Sequence, residues 1–321
     1  NPYGFVLENV EGLVNHDREN PKDKIGRTLS TILEHLEALG YKVSWRVLNA
    51  KYFGVPQERK RIYIVGTKRD YPDLSTFKHT SKLLGDVLEN GLNTEHSKFI
   101  DNLLAHYSIE ELEGKSIKDK RGGDNNIHSW DIEMKGPVSP TQRQLLNTML
   151  KERRKKKWAE EYGIDWMDGM PLTIDQIRTF FEHPELEEML NDLVQKKYLR
   201  YEHPKKKVGN RREYDTSLPK GYNIVAGKMS FEISKIMGRN DIAPTLVAMD
   251  MQHLYVTDGV GVRTLSLREG LRLFGYPDDY KLDIEKSLGY DLLGNTVVVP
   301  VIAEVSGRVL DIYCREEPIN A

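Results

Sequence analysis

Gly4-Phe5-Val6-Leu7-Glu8-Asn9-Val10 is an apolar run that ends on an acid and an amide, and the segments after it decide how it is read. Phe5 to Leu7 has the length and composition of a short buried strand. Arg27 to Leu39 carries Leu29, Ile32, Leu33, Leu36 and Leu39 at helical spacing, and Gly40 stands where a left-handed cap would stop the helix. Tyr41 to Leu48 alternates through Val43, Trp45 and Val47, and Arg61 to Gly66 follows as a third, β-branched strand. Strand, helix, strand in this order predicts part of an open α/β sheet. Ligands of such sheets bind at the carboxyl ends of parallel strands, which is where this reading places Glu8.

Composition bounds the alternatives. A chain of 321 residues, 39% hydrophobic and 30% charged, is long enough for about two globular domains. Its longest apolar stretches, such as Thr296 to Val301, fall far short of the roughly 20 residues of a membrane-spanning helix, and no signal-peptide pattern opens it. A protein without membrane association, in the cytoplasm, is the expectation. The single Cys314 excludes an internal disulfide framework and a cysteine-based zinc cluster, and no metal is expected.

The net charge of −2 conceals clustering. Lys151 to Lys157, which includes Lys155, Lys156 and Lys157, holds six basic residues and one acid. Lys196 to Arg212 holds eight basic residues, among them Lys205, Lys206, Lys207, Arg211 and Arg212, against Glu202 alone. Each run fits either a solvated helix face or a local polyanion site, in which every neutralised phosphate contributes through counterion release. Both lie in a polar stretch from about Asp70 to Arg239. There Thr141 to Tyr162 is predicted as one helix, and Thr173 with Gln176 fits a capping box. Glu182-His183-Pro184 interrupts the next helical pattern, and Tyr198 to Arg212 fits a strand and a basic wing, a combination that can touch DNA.

Four further segments carry chemistry. Gln57-Glu58-Arg59-Lys60-Arg61 follows Gly54-Val55-Pro56 and enters a strand; Arg239 precedes Pro244-Thr245-Leu246; Phe274-Gly275-Tyr276-Pro277 follows Arg263 and Arg268; and Gly294-Asn295-Thr296-Val297 opens an amphipathic helix predicted to run to Leu310. Alternation points Arg59 and Arg61 the same way. Alone, each segment has an ordinary structural reading: a surface acid, a solvated arginine pair, a helix cap. Together and in this order, with Glu8-Asn9-Val10, they resemble the late motifs of DNA cytosine-5 methyltransferases over about residues 1 to 70 and 236 to 321.

The resemblance implies a partial, Rossmann-like S-adenosylmethionine-dependent methyltransferase sheet of α/β class with a separate mixed target-recognition domain. The implied division is 1–70 for the catalytic domain, 71–280 for target recognition with a variable insert at 71–235, and 281–321 for the return to the catalytic domain. Glu8 would be the acid that steadies the cytosine ring at N3, and Arg59 and Arg61 would reach the active site, polarising the cytosine O2 side and bracing the nucleophile's loop. Asn9, Gln57 and Arg239 would support that site. Asn295 and Thr296 would meet the methionine end of the cofactor from a helix N-terminus. The basic residues named above would hold DNA phosphates while loops of the insert read base edges.

The early motifs are missing: no glycine-rich cofactor turn and no Pro-Cys nucleophile precede Glu8, and Cys314 lies after the last motif. The expectation is therefore the C-terminal part of such an enzyme, a subunit or a fragment. A complementary polypeptide would supply the thiolate and most of the cofactor site, docking on apolar surfaces at Phe5 to Leu7 and on the Val297 to Leu310 helix. The implied function is methylation of cytosine at C5 within a specific duplex sequence in a bacterial restriction-modification system, with base flipping. A non-catalytic DNA-binding or regulatory relative and an RNA cytosine-5 methyltransferase are the alternatives.

Overall fold

The computed structural model describes residues 2–119, 125–165, 169–225 and 231–314. They form two compact units, Asn1–Leu92 with Met237–Val256 and Thr264–Ala321, and Asn93–Ile236 with Thr257–Arg263.

The first unit is a mixed α/β layer structure. Its sheet contains β1 (Gly4–Val10), β2 (Lys42–Asn49) and β3 (Lys60–Thr67) in the order β1-β3-β2. Both outer strands run antiparallel to β3, from Gly4↔Thr67 to Val10↔Arg61 on one side and from Lys42↔Thr67 to Asn49↔Lys60 on the other. Glu8 thus does not end a parallel strand, as anticipated, but lies within an antiparallel pair, opposite Tyr63. The places of the first helix and of the three strands were legible from hydrophobic spacing, whereas strand direction depends on the path of the 50–59 connection, which carries no periodic signal.

Alternation along β3 sorts the two cores. Ile62 and Ile64 pack with Leu29, Tyr41 and Val43 beneath α1 (Arg27–Ala38), which gives way to Gly40 at a φ of 82°. Tyr63 and Val65 face the other way, into a larger core with Leu48, Phe274, Val301 and Val305. Burying each such aliphatic side chain contributes about 1.5–3 kcal/mol. Phe5 stands opposite Gly66 in the ladder and lays its ring there: a Cβ on Gly66 would stand 2.5 Å from it.

Two expectations change in this unit. Leu84, Val87 and Leu88 share the larger core with Leu271, Leu273 and Phe274, so residues 71–92 and 264–280 pack with the sheet, and the boundaries fall near 92 and 237 instead of 70 and 280. The last helix is Val299–Cys314, and it buries Val301, Val305 and Ile312 within its own unit. Much of its apolar face is therefore covered, which reduces the docking surface expected there to Leu310, 61% exposed, while Leu7 and Val10 of β1 remain 44% and 53% exposed.

In the second unit, helices Pro140–Glu152, Ile174–Arg178 and Leu186–Gln195 enclose a core that includes Trp130, Leu145, Met149, Leu190 and Tyr198. Strands Leu199–Glu202 and Gly221–Ile224 pair antiparallel, Leu172 bridges to Tyr222, and between those two strands projects a hairpin, Lys205–Val208 with Arg211–Tyr214, turned at Gly209. The Thr173–Gln176 capping box forms as read. The single helix predicted over Thr141 to Tyr162 instead stops at Glu152 and resumes as Lys157–Glu160. Arg153 is the reason: it is buried, its Nη1 donates to Asn223 Oδ1 at 2.7 Å, and its carbonyl accepts from Met170 N at 2.8 Å.

Candidate active site

The β1–β3 register builds the acid–guanidinium pair. Directly opposed residues share a face, so Glu8 lies beside Tyr63 and Val10 beside Arg61, and alternation adds Arg59 to that face. Arg61 Nε stands 3.0 Å from Glu8 Oε1, with the side chains 14% and 23% exposed. Arg61 Nη1 donates to the Lys60 carbonyl at 2.8 Å. Glu8 Oε2 and Arg61 Nη2 have no partner among the described residues. Asn9 is exposed and its Oδ1 accepts from Val10 N at 2.8 Å, a local brace after Glu8. Burial, with the Glu8 charge adding to it, raises the Tyr63 phenol far above its ordinary range, so Tyr63 remains neutral on this face.

Arg59 is placed differently from the expectation. It is 5% exposed, and its guanidinium donates to three carbonyls: Leu246 at 2.8 Å, Thr296 at 3.0 Å and Gly294 at 3.3 Å. Burial, and then the neighbouring Arg61 charge, pull its pKa down to about 10 while Glu8 opposes the shift, so it stays protonated at neutral pH. The bracing role is what this geometry serves: three of the five N–H groups of Arg59 are spent on these carbonyls, and its Nε is buried without a partner.

Gln57 is fully buried and works beside it. Its Nε2 donates to the Leu273 carbonyl at 2.9 Å and its Oε1 accepts from Leu246 N at 3.2 Å. Ala243 N to Pro56 O and Glu58 N to Ala243 O, both 2.8 Å, and Thr245 Oγ1 to Glu58 O at 2.7 Å complete the join between 56–59 and 243–246. Arg239 ties down the 85–90 segment, donating to Asn90 Oδ1 at 2.9 Å and to Gly85 O at 3.4 Å. Tyr63, Thr245 and Tyr276 were not anticipated as site residues; for Tyr63 the signal was available, two positions beyond Arg61 on an alternating strand.

The expected cofactor residues meet a correction. Asn295 does not open a helix: it is the C-cap of Lys286–Gly294, and its Nδ2 donates to Asp291 O at 2.9 Å. The following helix begins only at Val299, whose N–H goes to Phe274 O at 2.9 Å, and Pro300 has no N–H to offer. Thr296 is engaged through its carbonyl by Arg59 and through its hydroxyl by Tyr276, at 2.9 Å. Of the two, Asn295 is exposed with Oδ1 unengaged among the described residues, and it alone fits a polar ligand.

A cleft of about 650 Å³ in this unit is lined by Arg46, Asn49, Lys51, Tyr52, Glu58 and Lys60 among others, and neither Glu8 nor Arg61 belongs to it. The acid–guanidinium pair sits instead at the open end of the sheet, because β1 has no second strand partner among the described residues. No cluster of metal-ligating side chains occurs among the described residues, and Cys314 is exposed.

The basic candidates divide. Lys155 pairs with Glu152 at 2.6 Å, Lys157 lies 3.9 Å over the Trp158 ring, and Lys156 is exposed. Lys205 lies 4.6 Å over the Tyr214 ring and Lys206 pairs with Asp215 at 3.1 Å. Lys207, Arg211 and Arg212 are exposed and have no acidic partner among the described residues.

The family model described as C-5 cytosine-specific DNA methylase matches residues 1–311. The chain is 65% identical over 309 residues to the Type II methyltransferase M.NlaIV of Neisseria lactamica, covering 96% of this chain and 73% of that protein. It is 36% identical to the Type II methyltransferase M.BanI of Aneurinibacillus aneurinilyticus, over 95% and 70% of the two chains. Among solved structures it is similar to the S. pombe Dnmt2 methyltransferase, with a TM-score of 0.45 and 13% identity over 98% of this chain and 66% of that one. It is also similar to the Entamoeba histolytica methyltransferase EhMeth, with a TM-score of 0.43 and 11% identity over 97% and 63%.

Proposed function

The chain belongs to the C-5 cytosine-specific DNA methylase family, and from that premise we propose that it forms the acid-bearing part of an S-adenosylmethionine-dependent DNA (cytosine-5) methyltransferase. It would act on one duplex sequence within a bacterial, cytoplasmic restriction-modification system. The observation that carries this reading is the Glu8–Arg61 pair, 3.0 Å apart at the open end of the sheet, with one carboxylate oxygen and one guanidinium N–H left over. A carboxyl group and an N–H side by side match the ring N3 and the adjacent O2 of an extruded cytosine.

Bound S-adenosylmethionine would supply the methyl group, and Asn295 is the residue here suited to meet it. Glu8 would hold a proton at N3, which makes C6 electrophilic toward a thiolate and takes up the charge of that addition; C5 then takes the methyl group, and loss of the C5 proton expels the thiolate. Arg61 would hold O2. Gln57 and Arg59 fix the strand that carries Arg61 to the 246 and 294–296 segments, so the pair is held in place before substrate arrives.

The thiolate and the glycine-rich cofactor turn come from outside these 321 residues, on a complementary polypeptide or on further sequence of a longer chain. The test is transfer of a labelled methyl group to duplex DNA by the complete enzyme. Glu8→Gln should lower the rate by at least about tenfold. A smaller loss removes Glu8 as the acid, and preference for transfer RNA over duplex DNA replaces the DNA reading with an RNA one.

A further inference from the structure

The hairpin of the second unit has a sidedness that its composition hides. Cross-strand register places Lys207 opposite Arg212 and Lys205 opposite Tyr214, so these four side chains share one face; Lys206, Val208, Arg211 and Glu213 share the other. The second face is internally compensated, because Lys206 opposes Glu213 and pairs with Asp215 at 3.1 Å. The first carries three cations and no acid of its own; the nearest carboxylate held to it is Glu202, through the Tyr214 hydroxyl. Lys207 and Arg212 directly opposite each other repel, and both strands of the hairpin are exposed except for the half-buried Lys205, so little packing offsets that repulsion. A row of like charges on an element that buries almost nothing is suited to an anionic partner, while the Tyr214 hydroxyl at its edge is already spent on Glu202 Oε2, to which it donates at 2.8 Å.

The neighbouring elements narrow the partner. Helices Ile174–Arg178 and Leu186–Gln195, strands Leu199–Glu202 and Gly221–Ile224 and the hairpin make a helix–helix–wing arrangement. In many such units the second helix enters a groove of DNA. Here that helix buries Leu186, Met189, Leu190 and Leu193 and turns Glu187 and Glu188 outward, with Asp192 half-buried and held by Lys196 at 2.7 Å. Phosphates would be repelled from it.

We propose that the wing, through Lys205, Lys207 and Arg212, clamps the sugar–phosphate backbone of duplex DNA without reading sequence, and that the acidic Leu186–Gln195 helix stays out of the groove. This deepens the DNA methyltransferase reading and rests on it. Each phosphate neutralised contributes about 0.9 to the slope of log K against log salt, so the three cations contribute about 2 to 3.

The test is binding of the full chain to a labelled duplex of arbitrary sequence, followed by fluorescence anisotropy across a salt series. Lys205→Gln/Lys207→Gln/Arg212→Gln should weaken binding at least about tenfold and flatten the slope by about 2 to 3. Lys206→Gln/Arg211→Gln, on the compensated face, should flatten it by less than about 1. Arg212→Lys should keep the binding, and matching thermal unfolding curves exclude misfolding as the cause. Equal losses per charge on the two faces, or no loss in the triple variant, overturn the proposal, as does tighter binding of a structured RNA of equal length. Wing-dependent duplex binding by an enzyme that transfers no methyl group to DNA would leave the wing standing and remove the methyltransferase reading.

Discussion

Arg59 and Arg61 stand two residues apart and end in the same group, yet their surroundings divide stability from chemistry between them. Arg59 is buried on three carbonyls, so Arg59→Met leaves those acceptors unpaired and should cost about 3–5 kcal/mol in urea unfolding. Gln57→Leu strands Leu246 N and Leu273 O and should cost about 2–4 kcal/mol. Arg61 is part-exposed and among the described residues pairs only with Glu8 and the Lys60 carbonyl. Arg61→Met should therefore change stability by less than about 1 kcal/mol while lowering methyl transfer at least about 100-fold. Equal effects of Arg59→Met and Arg61→Met on stability would contradict this division. The spacing Arg-x-Arg gave the shared face, but not the division: the carbonyls around Arg59 lie 187, 235 and 237 residues further along the chain, and no local pattern encodes them.

Elements were legible where their ends carry chemistry. Gly40 stops α1, and Thr173 with Gln176 starts Ile174–Arg178, each through a left-handed or side-chain cap that a sequence displays. The last helix was misplaced by four residues at its start, because Asn295 caps the preceding helix instead of opening the next. The tight passage between these elements has its own signature. Gly275 has a φ of 80°, and a Cβ there would come within 2.3 Å of Pro300 Cδ. Gly275→Ala combines left-handed strain with overpacking and should destabilise by about 2–4 kcal/mol. Gly91 has a φ of 72° with nothing within 4 Å of an added Cβ. Gly91→Ala carries only the backbone strain, about 1–2 kcal/mol. Urea midpoints of the two variants compare these costs, and equal shifts would mean that the Pro300 contact relaxes at no cost.

At the scale of the whole molecule, the sheet in hand stops at β1, and an uncovered edge strand is a liability that proteins blunt with charge, bulges or a covering element. β1 has Glu8 but also Leu7 and Val10 exposed at 44% and 53%, and no proline or bulge interrupts its register from Gly4 to Val10. The proposed acid lies on that strand, and the proposed reading brings its thiolate from another polypeptide or further chain. Joining the two at one edge would satisfy both demands, since a strand added to β1 would cover Leu7 and bring its carboxyl end toward Glu8. The hydrogen-bonding groups of β1 that face away from β3 report this directly. In the 321-residue chain alone, those amides should exchange nearly as fast as loop amides; with a polypeptide carrying the Pro-Cys and glycine-turn motifs bound, exchange should slow by at least about 100-fold. The amides bonded to β3 should be protected in both states, so the contrast within one strand separates edge pairing from a general gain in stability. If the two sets slowed together, or if neither changed while methyl transfer was restored, that polypeptide would dock somewhere other than β1, and Glu8 would have to meet its thiolate across a surface that does not extend the sheet.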